Sequence, residues 1–98
     1  MDFELVCKAF REWRCLELHS ADGGIRTVEI HSAGYTKDGE RVMRVWQTSN
    51  GSGGSDSEGW KLINFDEVVR AESGGPSSAP RWGYKRADEA IDRMICQV

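Results

Sequence analysis

The hydrophobic pattern at the start of the chain has a helical period. Asp2 is a suitable N-cap residue in front of it. Apolar residues then recur every three or four positions, at Phe3, Val6, Phe10 and Trp13. The pattern predicts an amphipathic helix within residues 1–14 that packs one apolar stripe against the rest of the domain.

From residue 15 the pattern changes to the alternation that is typical of half-buried β-strands. Turn sequences interrupt the alternation, among them Asp22-Gly23 and Lys37-Asp38-Gly39. Asp66–Arg70 indicates a further turn into a short last strand. Residues 15–72 are therefore predicted to form about five antiparallel strands.

Two loops and a second helix complete the predicted organisation. Ser49–Gly59 consists almost wholly of small and polar residues, which predicts a long mobile loop. Residues 73–86 contain both prolines and are predicted to be a loop. Residues 87–98 place several apolar side chains on one helical face, which predicts a C-terminal helix. The predicted fold is a single α+β, mainly β domain: a small β-barrel with a helix at each end.

The order of these blocks over residues 3–72 resembles the WYL ligand-sensing domain of bacterial regulators. Val28-Glu29-Ile30 occupies the place of the family's Val-Glu-Pro, and Lys37-Asp38-Gly39 that of its glycine turn. Arg41–Trp46 corresponds to the Trp-Tyr-Leu strand, and Ile63–Val68 to the Phe-Arg-Leu-Asp-Arg-Ile strand. His19 stands where the family usually has a tyrosine. The resemblance implies an SH3-like or Sm-like barrel. The Gly34–Gly39 run and the closing Ala79–Arg86 segment resemble those of short standalone bacterial proteins of unassigned role.

The resemblance also implies an exposed face whose basic residues hold nucleic-acid fragments or other anionic effectors. Asn64 and Glu67 replace two of the family's arginines, which weakens that anion site because a carboxylate repels a phosphate. Lys61 keeps a positive charge close to another basic position of the family. The ligand is therefore expected to differ from the usual one.

Composition narrows the class of protein. The chain has 98 residues, of which 39% are hydrophobic and 30% charged, as expected for one soluble globular domain. A formal net charge of −3 argues against duplex DNA binding by the whole surface. No membrane span or secretory signal is recognisable, so a cytoplasmic location is predicted. Cys7, Cys15 and Cys96 form no CxxC pair and are predicted to be reduced, mostly buried thiols.

Aromatic and basic side chains interleave over Arg81–Arg86, a pattern that can stack bases while neutralising a single-stranded backbone. The alternative is that Trp82 and Tyr84 anchor this loop to the barrel. Basic strand residues would add positive charge to the same groove. The predicted ligand-binding residues are Lys61, Arg44, Arg41, Trp60, Trp82, Tyr84, Lys85, Arg86 and His19.

No catalytic residue, metal or cofactor is predicted. His19 and His31, with Glu17 or Glu29, could ligate a metal, but solvent-facing strand histidines are the favoured interpretation. A Cys15–His19 nucleophile and base is disfavoured against a buried structural thiol.

The predicted function is a non-enzymatic ligand-binding or regulatory module for single-stranded nucleic acid or another anionic effector. The alternative is a protein–protein interaction or self-assembly module without nucleic-acid binding.

Overall fold

The described residues form one α-helix and six β-strands. The computed structural model describes residues 1–50 and 58–97, without the side chains of residues 49 and 50. The predicted loop Ser49–Gly59 falls largely on residues 51–57, which lie outside this description. A short 3₁₀ turn, Phe65–Glu67, joins the fourth and fifth strands. The main elements are α1 (Phe3–Arg11), β1 (Arg14–Ser20), β2 (Ile25–Tyr35), β3 (Arg41–Asn50), β4 (Gly59–Asn64), β5 (Val68–Pro76) and β6 (Arg93–Gln97).

The six strands form one antiparallel sheet with the order β4-β3-β2-β1-β5, and β6 pairs with β2. β1 pairs with the first half of β2, from Ile25 to Val28. β6 pairs with the second half, from Ser32 to Tyr35, and so occupies the edge that β1 leaves open. Within the described residues β4 and β5 are the two ends of the sheet and do not pair.

Two parts of the predicted fold are corrected by this topology. The sheet is open within the described residues and is not the predicted closed SH3-like or Sm-like barrel. Residues 93–97 form a strand and not the predicted C-terminal helix. The physical reason is that the second half of β2 has backbone donors and acceptors with no β1 partner, and pairing with β6 satisfies them. Tertiary pairing thus overrides the helical spacing of the apolar residues.

The helix α1 packs on one face of the sheet, as its apolar stripe predicts. The carboxylate of Asp2 accepts a hydrogen bond from the Leu5 N–H at 3.0 Å, which caps the first turn. Val6 and Ala9 are buried against the strands. The rest of this core is aliphatic and aromatic: Leu16, Leu18, Val28, Ile30, Ala33, Met43, Val45, Ile63, Phe65 and Val68.

A disulfide joins Cys7 of α1 to Cys96 of β6, with 6.0 Å between their Cα atoms. The prediction of three reduced thiols was therefore wrong for these two residues. The 89 positions that separate them in sequence hide their proximity, which only the pairing of β6 with β2 creates. Cys15 is free and buried, and burial raises the pKa of its thiol. It is therefore a poor nucleophile.

The other face of the sheet is covered by residues 77–92, which join β5 to β6 and are called the strap below. A shift in the β2–β3 register between Ile30 and Ser32 inserts His31 as an extra residue. Ordinary alternation along β2 turns Glu29 and His31 towards the strap and Ile30 towards the core. The bulge shifts the alternation by one residue, so that Ala33 also lies in the core under α1. Further along β2, a Cβ at Gly34 would collide with the Arg93 carbonyl and Ile91, so only glycine allows the strap end to approach.

Candidate functional site

The strap is held to the sheet by one buried carboxylate. Glu29 on β2 is 2% exposed and accepts hydrogen bonds from the Arg81 guanidinium, at 2.6 Å from Nε and 3.3 Å from Nη2. The Ser78 N–H donates to the same carboxylate at 2.7 Å. Burial by itself would raise the pKa of Glu29, but the Arg81 and Ser78 hydrogen bonds outweigh it and hold that pKa below its usual value. Glu29 is therefore a structural anion and not a candidate acid catalyst.

His31 makes the second anchor. It is fully buried, and its Nδ1 lies 3.0 Å from the Glu29 carbonyl oxygen while the Arg81 N–H donates to Nε2 at 2.9 Å. This arrangement requires a neutral ring with the proton on Nδ1. Burial lowers the pKa of His31, in agreement with that neutral form. The Tyr84 hydroxyl donates to the His31 carbonyl oxygen at 3.2 Å, which fixes the strap on the far side of the ring.

A second ion pair fixes the strap further along. Arg44 on β3 donates to the two carboxylate oxygens of Asp88, at 2.6 Å and 3.2 Å. The Ala90 N–H donates to Asp88 as well, at 3.0 Å. The Arg44 hydrogen bonds lower the pKa of Asp88. The charge of Arg44 is thus largely neutralised within the fold.

Between these two anchors the strap and the sheet enclose a cleft of about 420 Å³. Trp60 on β4 and Tyr84 on the strap stack with ring centroids 6.2 Å apart and an angle of 27° between planes. The strap contributes both charge signs to the cleft, through Lys85 and Glu89. The lining residues are Arg44, Trp60, Gly83, Tyr84, Lys85, Ala87, Asp88, Glu89 and Ala90.

The most exposed aromatic residue of the described chain lies at the rim of this cleft. Trp82 is 96% exposed and sits in the turn from Arg81 to Tyr84, which the Tyr84 N–H closes on the Arg81 carbonyl at 3.2 Å. Gly83 has a φ of +92° and approaches Trp60 so closely that a Cβ there would lie 3.2 Å from its Nε1. The two ends of this turn, Arg81 and Tyr84, both donate hydrogen bonds to His31. A large aromatic ring is therefore presented to solvent by a turn that is hydrogen-bonded to the sheet at both ends.

Only some of the predicted ligand-binding residues lie at the cleft. Trp60, Tyr84, Lys85 and Arg44 line the cleft, and Trp82 and Arg86 are exposed on the strap beside it. Arg41 lies against Phe65 and Asp66, at the end of the sheet near the start of α1.

Lys61 and His19 lie elsewhere. Lys61 pairs with Val45, so its side chain lies on the α1 side of the sheet. His19 lies on β1 beside Glu72 of β5. The predicted groove that joined Lys61 and Arg41 to the strap does not form.

Tyr84 and Trp82 differ in their contacts with the sheet. Tyr84 anchors the strap through His31, whereas Trp82 has no such contact with the sheet in the described part of the chain. Trp46 is half-buried under Arg81, whose guanidinium carbon lies 5.5 Å from the ring centroid.

Sequence reasoning missed the residues that build the site. The sequence places Glu29 in a family motif and predicts that His31 faces solvent. It predicts no role for Asp88. Their side chains contact residues 44 to 52 positions away in sequence. The alternation correctly placed Glu29 and His31 on the polar face of β2, but nothing in it indicates that the strap covers this face.

No family model matches this chain, and neither the curated proteins nor the solved structures contain a match. The resemblance to WYL domains therefore stays a prediction. No helix in the described part of the chain has the length and apolar character needed to cross a membrane. The cytoplasmic location stays a prediction as well.

Proposed function

We propose that this domain is a non-enzymatic binding module that takes a nucleotide or a short single-stranded nucleic acid at the cleft beside the strap. The observation that carries the proposal is the 96% exposed Trp82 on an anchored turn at the cleft rim. Bases stack on exposed aromatic rings regardless of their sequence, and one such stack contributes about 1–3 kcal/mol.

The chemistry of the cleft supports a ligand that is both planar and anionic. Trp60 and Tyr84 offer aromatic surface inside it, while Lys85 and the exposed Arg86 offer positive charge. Arg44 adds little, because Asp88 already pairs with it. Glu89 also lines the cleft and repels a phosphate, so binding of the phosphate is favoured on the side of Lys85 and Arg86.

The size of the cleft supports a small ligand or a single inserted nucleotide. Its volume of about 420 Å³ lies near the lower end of the range for small-molecule sites, about 300–1,000 Å³. A longer strand would then insert one base and stack a neighbouring base on Trp82.

The charge variants Lys85→Glu and Lys61→Glu form a matched pair for testing this proposal. Both make the same change in net charge, but Lys85 lines the cleft and Lys61 lies on the opposite face of the sheet. Single-stranded DNA and RNA oligomers are titrated into each protein at low and moderate salt, with tryptophan fluorescence as the readout. We expect saturable quenching that weakens with salt, is reduced at least about tenfold in affinity by Lys85→Glu, and is little changed by Lys61→Glu.

Trp82→Ala tests the stacking contribution, with Trp13→Ala as its control. Trp13 is another exposed tryptophan, 52% accessible, but it follows α1 and lies outside the cleft. We expect Trp82→Ala to lower affinity by about tenfold or more and Trp13→Ala to leave it unchanged. Equal effects of the two lysine variants, or no binding at low salt, would reject the nucleic-acid proposal and favour the protein-interaction alternative, for which exposed Trp82 would be the contact to map.

A further inference from the structure

A cluster of possible metal ligands lies on β1 and β5, away from the cleft. Glu17 and Glu72 are directly opposite each other in the antiparallel pairing, and His19 follows two residues along β1 on the same face. The His19 Nε2 lies 3.8 Å from a carboxylate oxygen of Glu72. One donor atom from each of the three side chains lies within 4.8 Å of the other two.

Two features of this cluster favour a bound cation. Glu17 and Glu72 are like charges directly opposite each other on neighbouring strands, an unfavourable pairing that Arg70 offsets only from the Glu72 side. The Nε2 of His19 is shielded from solvent and makes no hydrogen bond within the described part of the chain. A buried ring nitrogen without a partner is costly unless something binds it. A cation held between the two carboxylates and this nitrogen would remove both costs.

Arg70 helps to orient the cluster. It donates to one carboxylate oxygen of Glu72 at 2.7 Å, while the other oxygen of that carboxylate is the one facing His19. Outer contacts of this kind fix the direction of a ligating oxygen in metal sites. The Arg70 side chain is 63% exposed, so its own charge is well screened by water.

We propose that Glu17, His19 and Glu72 bind one divalent transition metal, with Zn²⁺ the best match. Zinc and its neighbours in the first transition row bind imidazole nitrogen together with carboxylate oxygen and can keep a fourth position open, whereas Ca²⁺ and Mg²⁺ prefer oxygen ligands alone. Tetrahedral zinc with bonds of about 2.1 Å needs donors about 3.4 Å apart. Rotations of the partly exposed Glu17 and Glu72 side chains can close the remaining distance from 4.8 Å.

The proposal is independent of ligand binding at the strap, because none of the three residues lines the cleft. It also differs from the metal site considered from the sequence, in which both His19 and His31 would be ligands. His31 is committed to Glu29 and Arg81. The chain contains two histidines, so each can be followed separately by NMR.

The test is a titration of tag-free protein with Zn²⁺, followed by calorimetry and by the imidazole resonances. We expect one saturable site, a rise in the thermal midpoint, and shifts of the His19 resonances without shifts of the His31 resonances. His19→Ala and Glu72→Gln should each weaken Zn²⁺ affinity at least about tenfold. Glu12→Gln, at an exposed position beside α1, serves as the control and should bind like the wild type.

Circular dichroism of the metal-free variants checks that they fold, and Glu72→Gln keeps nearly the same shape if His19→Ala does not. The proposal is overturned if Zn²⁺ fails to saturate a site, if both variants bind like the control, or if His31 responds instead of His19. Co²⁺ gives a second readout, since a visible absorption band typical of low coordination should appear in the wild type and be lost in Glu72→Gln.

Discussion

The two faces of the same sheet are covered in different ways. On one face α1 packs through many aliphatic contacts, and the Cys7–Cys96 disulfide links it covalently to β6. On the other face the strap is attached through a few short hydrogen bonds, which converge on Glu29 and His31 and on the Arg44–Asp88 pair. Apart from the disulfide, the first attachment is distributed over many apolar residues, whereas the second depends on a few polar side chains.

This difference bears on how a binding surface can be built in a small domain. A distributed apolar core tolerates modest changes at any one position, because each side chain supplies only part of the buried area. A network of buried polar groups holds its segment in one geometry but is sensitive to the loss of any member. The strap carries Trp82 and Tyr84, so the directional attachment is found where the proposed ligand would need a fixed backbone.

The largest expected effect comes from a cavity in the apolar face. Leu16 is fully buried in the core, and Leu16→Ala should lower the free energy of unfolding by about 3 kcal/mol, within the range of about 2–5 kcal/mol typical of such changes. Leu62→Ala is the matched control, since Leu62 is 39% exposed on the strap side of the sheet and should change stability by about 0.5 kcal/mol or less. Urea unfolding measures both, and equal losses would contradict the assignment of the core to the α1 face.

A smaller but more localised effect is expected from Glu29→Gln. This change removes the charge that Arg81 and Ser78 contact and should lower the free energy of unfolding by about 1.5–3 kcal/mol. The loss stays below that of a fully buried pair because the Arg81 side chain is 37% exposed.

Hydrogen exchange locates the effect of Glu29→Gln. The amides of Ser78 and Arg81 should exchange faster in this variant, while amides of β1 keep their relative protection. Glu67→Gln, an exposed change in the 3₁₀ turn, is the control and should alter neither stability nor exchange of the strap. Uniform acceleration across the sheet would show that Glu29 supports the whole fold and not the strap in particular.

The same contrast explains what the sequence could predict. The helical spacing that starts at Phe3 correctly indicated α1 but wrongly extended it to Trp13, which follows the helix and is 52% exposed. The period-two alternation within residues 15–72 correctly indicated strands with one apolar face. These patterns can be recognised within a short stretch of sequence, because each element that buries one face in the core repeats its apolar residues with its own period.

No periodic pattern in the sequence predicts the contacts between the strap and the sheet. The contacts of Glu29 with Arg81 and of Arg44 with Asp88 join residues far apart in the chain, and the pairing of β6 with β2 brings Cys96 beside Cys7. The apolar residues of 93–97 fit a helix or a strand equally well over so short a segment, and the open edge of β2 decides between them. The interleaving of aromatic and basic residues over 81–86 predicts one binding group, whereas the fold separates the anchor Tyr84 from the exposed Trp82.

The smallest expected effect is a pH dependence of the free energy of unfolding. It comes from His31 on the strap face and not from the apolar core. Burial lowers the pKa of His31 in the folded protein, so the unfolded chain takes up a proton on this residue at a higher pH than the folded chain does. Because the unfolded state then binds more protons, the free energy of unfolding should fall as the pH drops below about 6.5, by at most about 1.4 kcal/mol per pH unit. The depressed pKa of Glu29 acts in the same direction, but only below about pH 4.3, where its unfolded form begins to protonate.

Urea unfolding of wild type and His31→Gln between about pH 7.5 and pH 5 separates the contribution of His31 from that of other titrating groups. The wild type should lose stability more steeply over this interval than His31→Gln, although the variant is less stable at neutral pH because Arg81 loses its ring acceptor. Parallel pH profiles would mean that His31 does not hold the strap in its neutral form, and the contrast between the two faces would then rest on Glu29 and on the Arg44–Asp88 pair.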